Sequence, residues 1–114
     1  METTIAILLD GVANGKWTLS RVVEVRSEKP AMIYGLVGQK GFLRVGSDAD
    51  LIFVDMKRKR RLDNGQILSK CGWTPYHGKE MAGDVVLTMV RGKVVMHDGK
   101  VIGEQGWGRF VTRQ

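Results

Sequence analysis

At 114 residues the chain is one domain or a piece of one, with enough length for a self-sufficient but not generous core. Apolar residues make up 43% and charged residues 26%, no apolar run approaches the roughly 20 residues of a membrane span, and the single cysteine, Cys71, excludes an internal disulfide. The net charge of +6 is local: Lys57-Arg58-Lys59-Arg60-Arg61 holds five of the 18 basic residues and leaves 13 against 12 acids, so the chain reads as a neutral protein with one basic run. Its start lacks the basic opening and small-residue cleavage pattern of a signal peptide. With the lone cysteine, this sets the expectation of a reducing cytoplasm.

Met1 to Asn14 reads as a helix, with Ile5, Leu8, Leu9 and Val12 on one stripe. Thr3 or Thr4 can cap it, and Gly15 fits just past its end. Gly11 inside the pattern carries a helix cost, which implies close packing there. Thr18 opens a second helix in which Leu19, Val22 and Val23 face one way, with Trp17 placed to staple against Val22. Pro30 marks a break, and residues 30–34 read as a short third helix stopped by Gly35. Val37 to Lys40 is a loop.

Gly41 to Met56 is the stretch around which the chain is arranged. Gly46-Ser47-Asp48 is a turn, and it feeds Leu51-Ile52-Phe53-Val54, an apolar run without alternation. Such a run predicts a central strand buried on both faces. The basic run follows, then the turn signal Asp63-Asn64-Gly65, then an irregular loop from Ile67 to Gly83. Val85 to Val90 is strand-like; Gly92 and Asp98-Gly99 are tight reversals around Val94-Val95-Met96. The tail from Gly103 has no period. The expected fold is α+β: two or three helices, then a small, mainly antiparallel sheet, with an apolar spine of Leu8, Val22, Leu51, Phe53, Val86 and Val90.

The segments SDADLIFVD, LSKCGWTPYHGKEMAG and VVLTMVRGKVVMHDGKV follow one another in order and at close spacing. Together they resemble the C-terminal end of dihydroorotase and its cyclic amidohydrolase relatives. The front, ETTIAILLDGVANGKWTLSRVVEVRSEKPAMIYGL, resembles the last helices packed around those enzymes' barrels. Glu2 stands where the family has the Glu that opens the helix after the eighth barrel strand, and Pro30-Ala31 matches its Asn-Pro-Ala signal. Departures are Lys29 and Trp73, where the family commonly has Asn, and the basic run itself, where it has acidic or mixed residues. The resemblance implies that residues 1–40 are the tail of a (β/α)₈ barrel and residues 41–114 part of a composite β-sandwich. It implies a C-terminal, non-catalytic portion of an enzyme that opens a cyclic amide with zinc-activated water, such as dihydroorotate to N-carbamoyl aspartate in pyrimidine biosynthesis. The family's metal ligands lie upstream of the matched segment, so no catalytic, cofactor-binding or metal-ligating residue carries over to this sequence. Zinc belongs to the intact family, and this chain holds no cofactor of its own.

The remaining chemistry-bearing residues have plainer readings. His77 and His97 are 20 residues apart, and a zinc site needs three or four converging donors. Asp98 beside His97 belongs to a hairpin turn. Cys71 in Ser69-Lys70-Cys71 matches a structural Ser-Lys-Ser element of the family and reads as a small side chain rather than a nucleophile. Gly103, Gly106 and Gly108 lack the strand-turn-helix setting of a phosphate loop. Trp73, Trp107 and Phe110 read as covering the sheet rather than stacking bases. The run Lys57 to Arg61 reads as a solvated edge that discourages strand pairing, with a module for nucleic acid or an acidic partner as the alternative. A second alternative is a structural subunit completing a separately encoded barrel. The expected partner is a second copy or a missing barrel portion, ahead of nucleic acid, and no membrane.

Overall fold

The computed structural model describes residues 2–113. In chain order it has α1 (Thr4–Ala13), α2 (Leu19–Val23), a π turn (Glu24–Glu28), α3 (Lys29–Ile33), β1 (Leu51–Arg61), a 3₁₀ turn (Asn64–Gln66), β2 (Glu80–Val90), β3 (Lys93–His97) and β4 (Lys100–Val101). The strands form one sheet in the order β1-β2-β3-β4, and the α+β expectation holds. Residues group into two compact units, Met1–Leu19 with Val54–Asp84 and Ser20–Phe53 with Val85–Gln114.

In the first unit α1 ends as the sequence asks. Gly15 takes φ +69°, its N–H donates to the Val12 carbonyl, and the Lys16 N–H donates to the Gly11 carbonyl. That is a Schellman closure with glycine just past the cap. The start differs from expectation: Thr3 is the cap residue, but its side chain accepts no cap hydrogen bond. Met1 lies outside the described residues. Leu9 is 1% exposed and forms the unit's core with Leu62 and Met81, also buried. The Asp10 carboxylate accepts the Ala82 N–H at 3.0 Å, tying α1 to the start of β2. Gly83 has φ +88°, and a Cβ there would lie 2.9 Å from that of Leu9, so helix and strand meet where only glycine fits. The loop expected up to Gly83 is therefore shorter, since β2 begins at Glu80.

In the second unit Pro30 does not break the helix. Without an N–H it cannot serve the carbonyl four residues back, and its ring crowds that carbonyl. The chain widens by one π turn, in which the Lys29 N–H reaches the Glu24 carbonyl, and then continues as α3. Gly35 at φ +67° stops it, again by a Schellman closure, with the Leu36 N–H donating to the Ala31 carbonyl at 2.8 Å. Val22 and Ala31 are this unit's buried residues. Both hairpin reversals are two-residue turns with positive φ throughout, Arg91-Gly92 and Asp98-Gly99. A bulge interrupts the β2–β3 register between Thr88 and Met89.

Two expectations about β1 fail. It is an outer strand in the sheet order, and Ile52 and Phe53 are 50% and 48% exposed rather than buried. Of the expected spine only Val22 is fully buried; Leu8, Leu51, Val86 and Val90 are partly covered. The apolar run is real, but this chain supplies too few side chains to cover both faces of it.

Candidate functional site

The two histidines have different partners, neither of them a metal ligand set. The Nδ1 of His77 accepts the Asn64 N–H at 3.1 Å, while the Asn64 side-chain oxygen accepts the Thr74 N–H at 2.8 Å. Asp63 caps the same 3₁₀ turn by accepting the Gly65 N–H at 2.7 Å. This knot orders the loop between β1 and β2 and occupies one imidazole nitrogen. His97 lies at the β3–β4 reversal with its Nδ1 3.5 Å from Asp98, both largely exposed. Cys71 is exposed, with its Sγ 3.6 Å from the Trp73 carbonyl. Among the described residues no group of three or more His, Cys, Asp or Glu is placed to hold a metal ion. The donors among the described residues do not fit a zinc centre.

Glu2 is the residue whose structural role sequence reasoning missed. Its carboxylate accepts the N–H groups of Leu68 and Ser69 at 2.9 and 2.6 Å and the Ser69 hydroxyl, across 66 residues of chain. The Ser69 hydroxyl and then the Leu68 amide hold its pKa below the ordinary value of 4.5. The sequence signal was present in two places: a Glu just before α1, and a Ser in the loop that it grips.

In the second unit Lys40 reaches between Asp48, at 2.7 Å, and Asp50. Asp50 also accepts the Arg91 N–H at 2.8 Å, which pins the approach to β1 to the β2–β3 turn. Burial opposes the charged form of Lys40, but its hydrogen bonds to the two aspartates outweigh that and raise its pKa. Burial likewise pushes Asp50 up, and the Lys40 and Arg91 bonds bring it below its ordinary value. Lys40, Asp48 and Asp50 also line a groove of about 430 Å³ whose lining further includes Arg26, Tyr34, Phe42, Leu43 and Ile52.

The aromatic residues divide. The Trp107 ring lies under the cations of Arg91 and Lys93, at 4.6 and 4.9 Å, and its indole N–H donates to the Val90 carbonyl at 2.9 Å. It fastens the tail to the β2–β3 hairpin. Trp73 and Phe110 are 60% and 93% exposed and do not cover the sheet as expected. The basic run lies on outer strand β1, and its cations have acidic neighbours: Lys59 with Glu80 at 3.0 Å, Arg60 with Asp84 at 3.6 Å, and Arg58 with Asp55 at 3.7 Å. Exposed pairs of this kind contribute little stability, but they partly neutralise the stripe that nucleic acid would need. No helix among the described residues is long and apolar enough to cross a membrane.

Residues 1–95 match the amidohydrolase family, and the chain belongs to that family. It is 46% identical over 115 residues to an L-hydantoinase of Paenarthrobacter aurescens, covering 100% of this chain and 25% of the relative. It is 40% identical to a dihydroorotase of Pyrococcus furiosus, over 99% of this chain and 27% of that protein. The solved L-hydantoinase (dihydropyrimidinase) from Arthrobacter aurescens superposes with a TM-score of 0.94 and 47% identity, over 98% of this chain and 25% of that one. A D-hydantoinase (dihydropyrimidinase) from Thermus sp. gives 0.85 and 33%, over 95% and 24%. The chain thus spans about a quarter of the length of these relatives.

Proposed function

We propose that residues 1–114 are the C-terminal, non-catalytic portion of a cyclic amidohydrolase, an enzyme that opens a ring by hydrolysing its amide C–N bond. Residues 1–40 supply closing helices of its barrel and residues 41–114 part of its accessory sandwich. The observation that carries this reading is likeness to a hydantoinase over 98% of the chain at a TM-score of 0.94. Hydantoins and dihydroorotate, the latter opened to N-carbamoyl aspartate in pyrimidine biosynthesis, are the substrate class; both are cyclic amides within a ureide ring. The catalytic zinc and its ligands belong to the remainder of the enzyme. A cytoplasmic setting and homo-oligomeric assembly are part of the same reading.

The chain's contribution is mechanical. Glu2 ties the start of α1 to the Leu68-Ser69 loop, Asp10 ties α1 to β2, and the Lys40–Asp48–Asp50 knot fixes the entry to β1. The test is an L-hydantoinase in which these 114 residues replace the homologous quarter. Ring opening of hydantoin or dihydroorotate, read as carbamoyl product, is expected from the hybrid and not from the 114-residue chain with zinc. A hybrid that folds yet opens neither ring overturns the reading. So does turnover by the chain alone that His77→Ala or His97→Ala abolishes.

A further inference from the structure

We propose that the end of β1 binds an extended acidic segment of a partner protein, which lies along the strand and is gripped by Lys57, Lys59 and Arg61. These residues and their neighbours lie within the first unit, and the inference is independent of the reading above.

The basic run is not one stripe but two. Successive residues of a strand point to opposite faces, so Arg58 and Arg60 share one side and Lys57, Lys59 and Arg61 the other. Arg60 marks the inner side, because it lines a small hollow with Thr3 and Ala6 at the start of α1. There the charges are matched, Arg58 with Asp55 at 3.7 Å and Arg60 with Asp84 at 3.6 Å. The outer side has an excess of cations. Lys59 has Glu80 at 3.0 Å, but Lys57 and Arg61 make no ion pair among the described residues, and all three are exposed.

Neighbouring cations on the outer side are two residues apart, about 6.6 Å along the strand. Alternate side chains of any extended peptide have the same spacing. A segment with an acid at every second position therefore meets the three cations one to one. The contact already occurs once within the molecule. Glu80, on the neighbouring strand β2, reaches Lys59 while both side chains stay largely exposed, at 62% and 67%. Complementary charges of this kind steer an encounter and fix its register more than they add affinity.

Two observations favour a polypeptide over nucleic acid. A nucleic-acid strand carries a charge about every 3.4 Å of axis, twice the density of this row, and its surplus phosphates would crowd the Glu80 carboxylate. Single strands are also held by stacking on open aromatic faces. The Tyr76 ring, two residues from the Gly78 that the Arg61 guanidinium approaches, instead lies under the Lys79 ammonium at 5.5 Å.

The test measures binding of fluorescent octapeptides to the 114-residue chain by anisotropy at about 10 mM salt, where screening is weak. A peptide alternating Glu and Thr should bind, and about 0.15 M salt should weaken it severalfold. The same residues with the glutamates in one block should bind about threefold more weakly, since half of their carboxylates then face away from the strand. Lys57→Gln with Arg61→Gln should weaken the alternating peptide about five- to tenfold. Arg58→Gln with Arg60→Gln removes the same charge from the inner side and should weaken it less than about twofold. The comparison of the two peptides uses the parent chain and decides the matter even where a variant melts early. Equal losses in the two double variants, equal affinity for the two peptides, or no binding of the alternating peptide overturns the proposal. Tighter binding of an oligouridine of the same charge assigns the run to nucleic acid and overturns it as well.

Discussion

Gly11→Ala is a substitution for which local propensity and packing give opposite signs. In a helix interior the change should stabilise by about 1 kcal/mol, since alanine loses less backbone freedom. At Gly11, however, an added Cβ would fall 2.1 Å from Cζ2 and 2.4 Å from Cε2 of the Trp17 ring. That ring cannot slide aside at no cost, because its indole N–H donates to the Leu8 carbonyl at 2.9 Å. Displacing it forfeits a hydrogen bond of about 1 kcal/mol. Trp17 is 36% exposed, so most of its surface is covered, and swinging it out loses a further ~2–3 kcal/mol of burial. Against the gain of about 1, the net expectation is destabilisation by about 2–3 kcal/mol. Urea unfolding followed by far-ultraviolet circular dichroism measures it, with an unchanged slope as the check on comparability. In a Trp17→Ala background the ring is gone, and Gly11→Ala should reverse sign and stabilise by up to about 1 kcal/mol. A stabilising Gly11→Ala in the presence of Trp17 would refute the contact.

Gly83→Ala meets both a positive φ of +88° and the Leu9 side chain, whereas Gly99→Ala meets only its φ of +77°. The first should cost about 1–3 kcal/mol more than the second in thermal melts, the usual range for overpacking. The lowered pKa of Glu2 means that its bonds to Ser69 and Leu68 stabilise the fold above the ordinary carboxylate range and are lost as pH falls through the folded value. Glu2→Gln should therefore lower the melting temperature near neutrality, and the difference from the parent chain should shrink as pH falls below the ordinary carboxylate range; a gap constant with pH would contradict this. Changing Arg58, Arg60 and Arg61 together to Gln should leave stability within about 1 kcal/mol, as exposed pairs do, and a salt-sensitive affinity for RNA lost in that variant would revive the nucleic-acid reading. Phe53→Ala should cost about 1.5–2.5 kcal/mol in the isolated chain, roughly half the value for a buried Phe, because the ring is 48% exposed; denaturant titration measures it.

Backbone punctuation was the most legible part of the sequence. Gly15, Gly35, Gly46 and the pair Asp98-Gly99 all stop or turn the chain where their freedom at positive φ allows it. Gly11 was readable as a close contact, although nothing local says that Trp17 fills the space. Pro30 misled because its effect is local: it removes one hydrogen bond, and a single π turn absorbs the loss without ending the helix. The ties that assemble the first unit were not legible, since Glu2 to Ser69 and Asp10 to Ala82 join positions about 70 residues apart, and no short pattern encodes such a pairing. The error at Leu51–Val54 is of another kind. The rule that an unalternated apolar run is buried on both faces reports what the sequence was selected to do within its whole fold. A chain that spans a quarter of its relatives need not contain every residue that does the burying. The half-exposed Ile52 and Phe53 thus make the failed expectation informative: on the proposed function, the difference between the burial they call for and the burial they have is surface for the remainder of a longer amidohydrolase to cover.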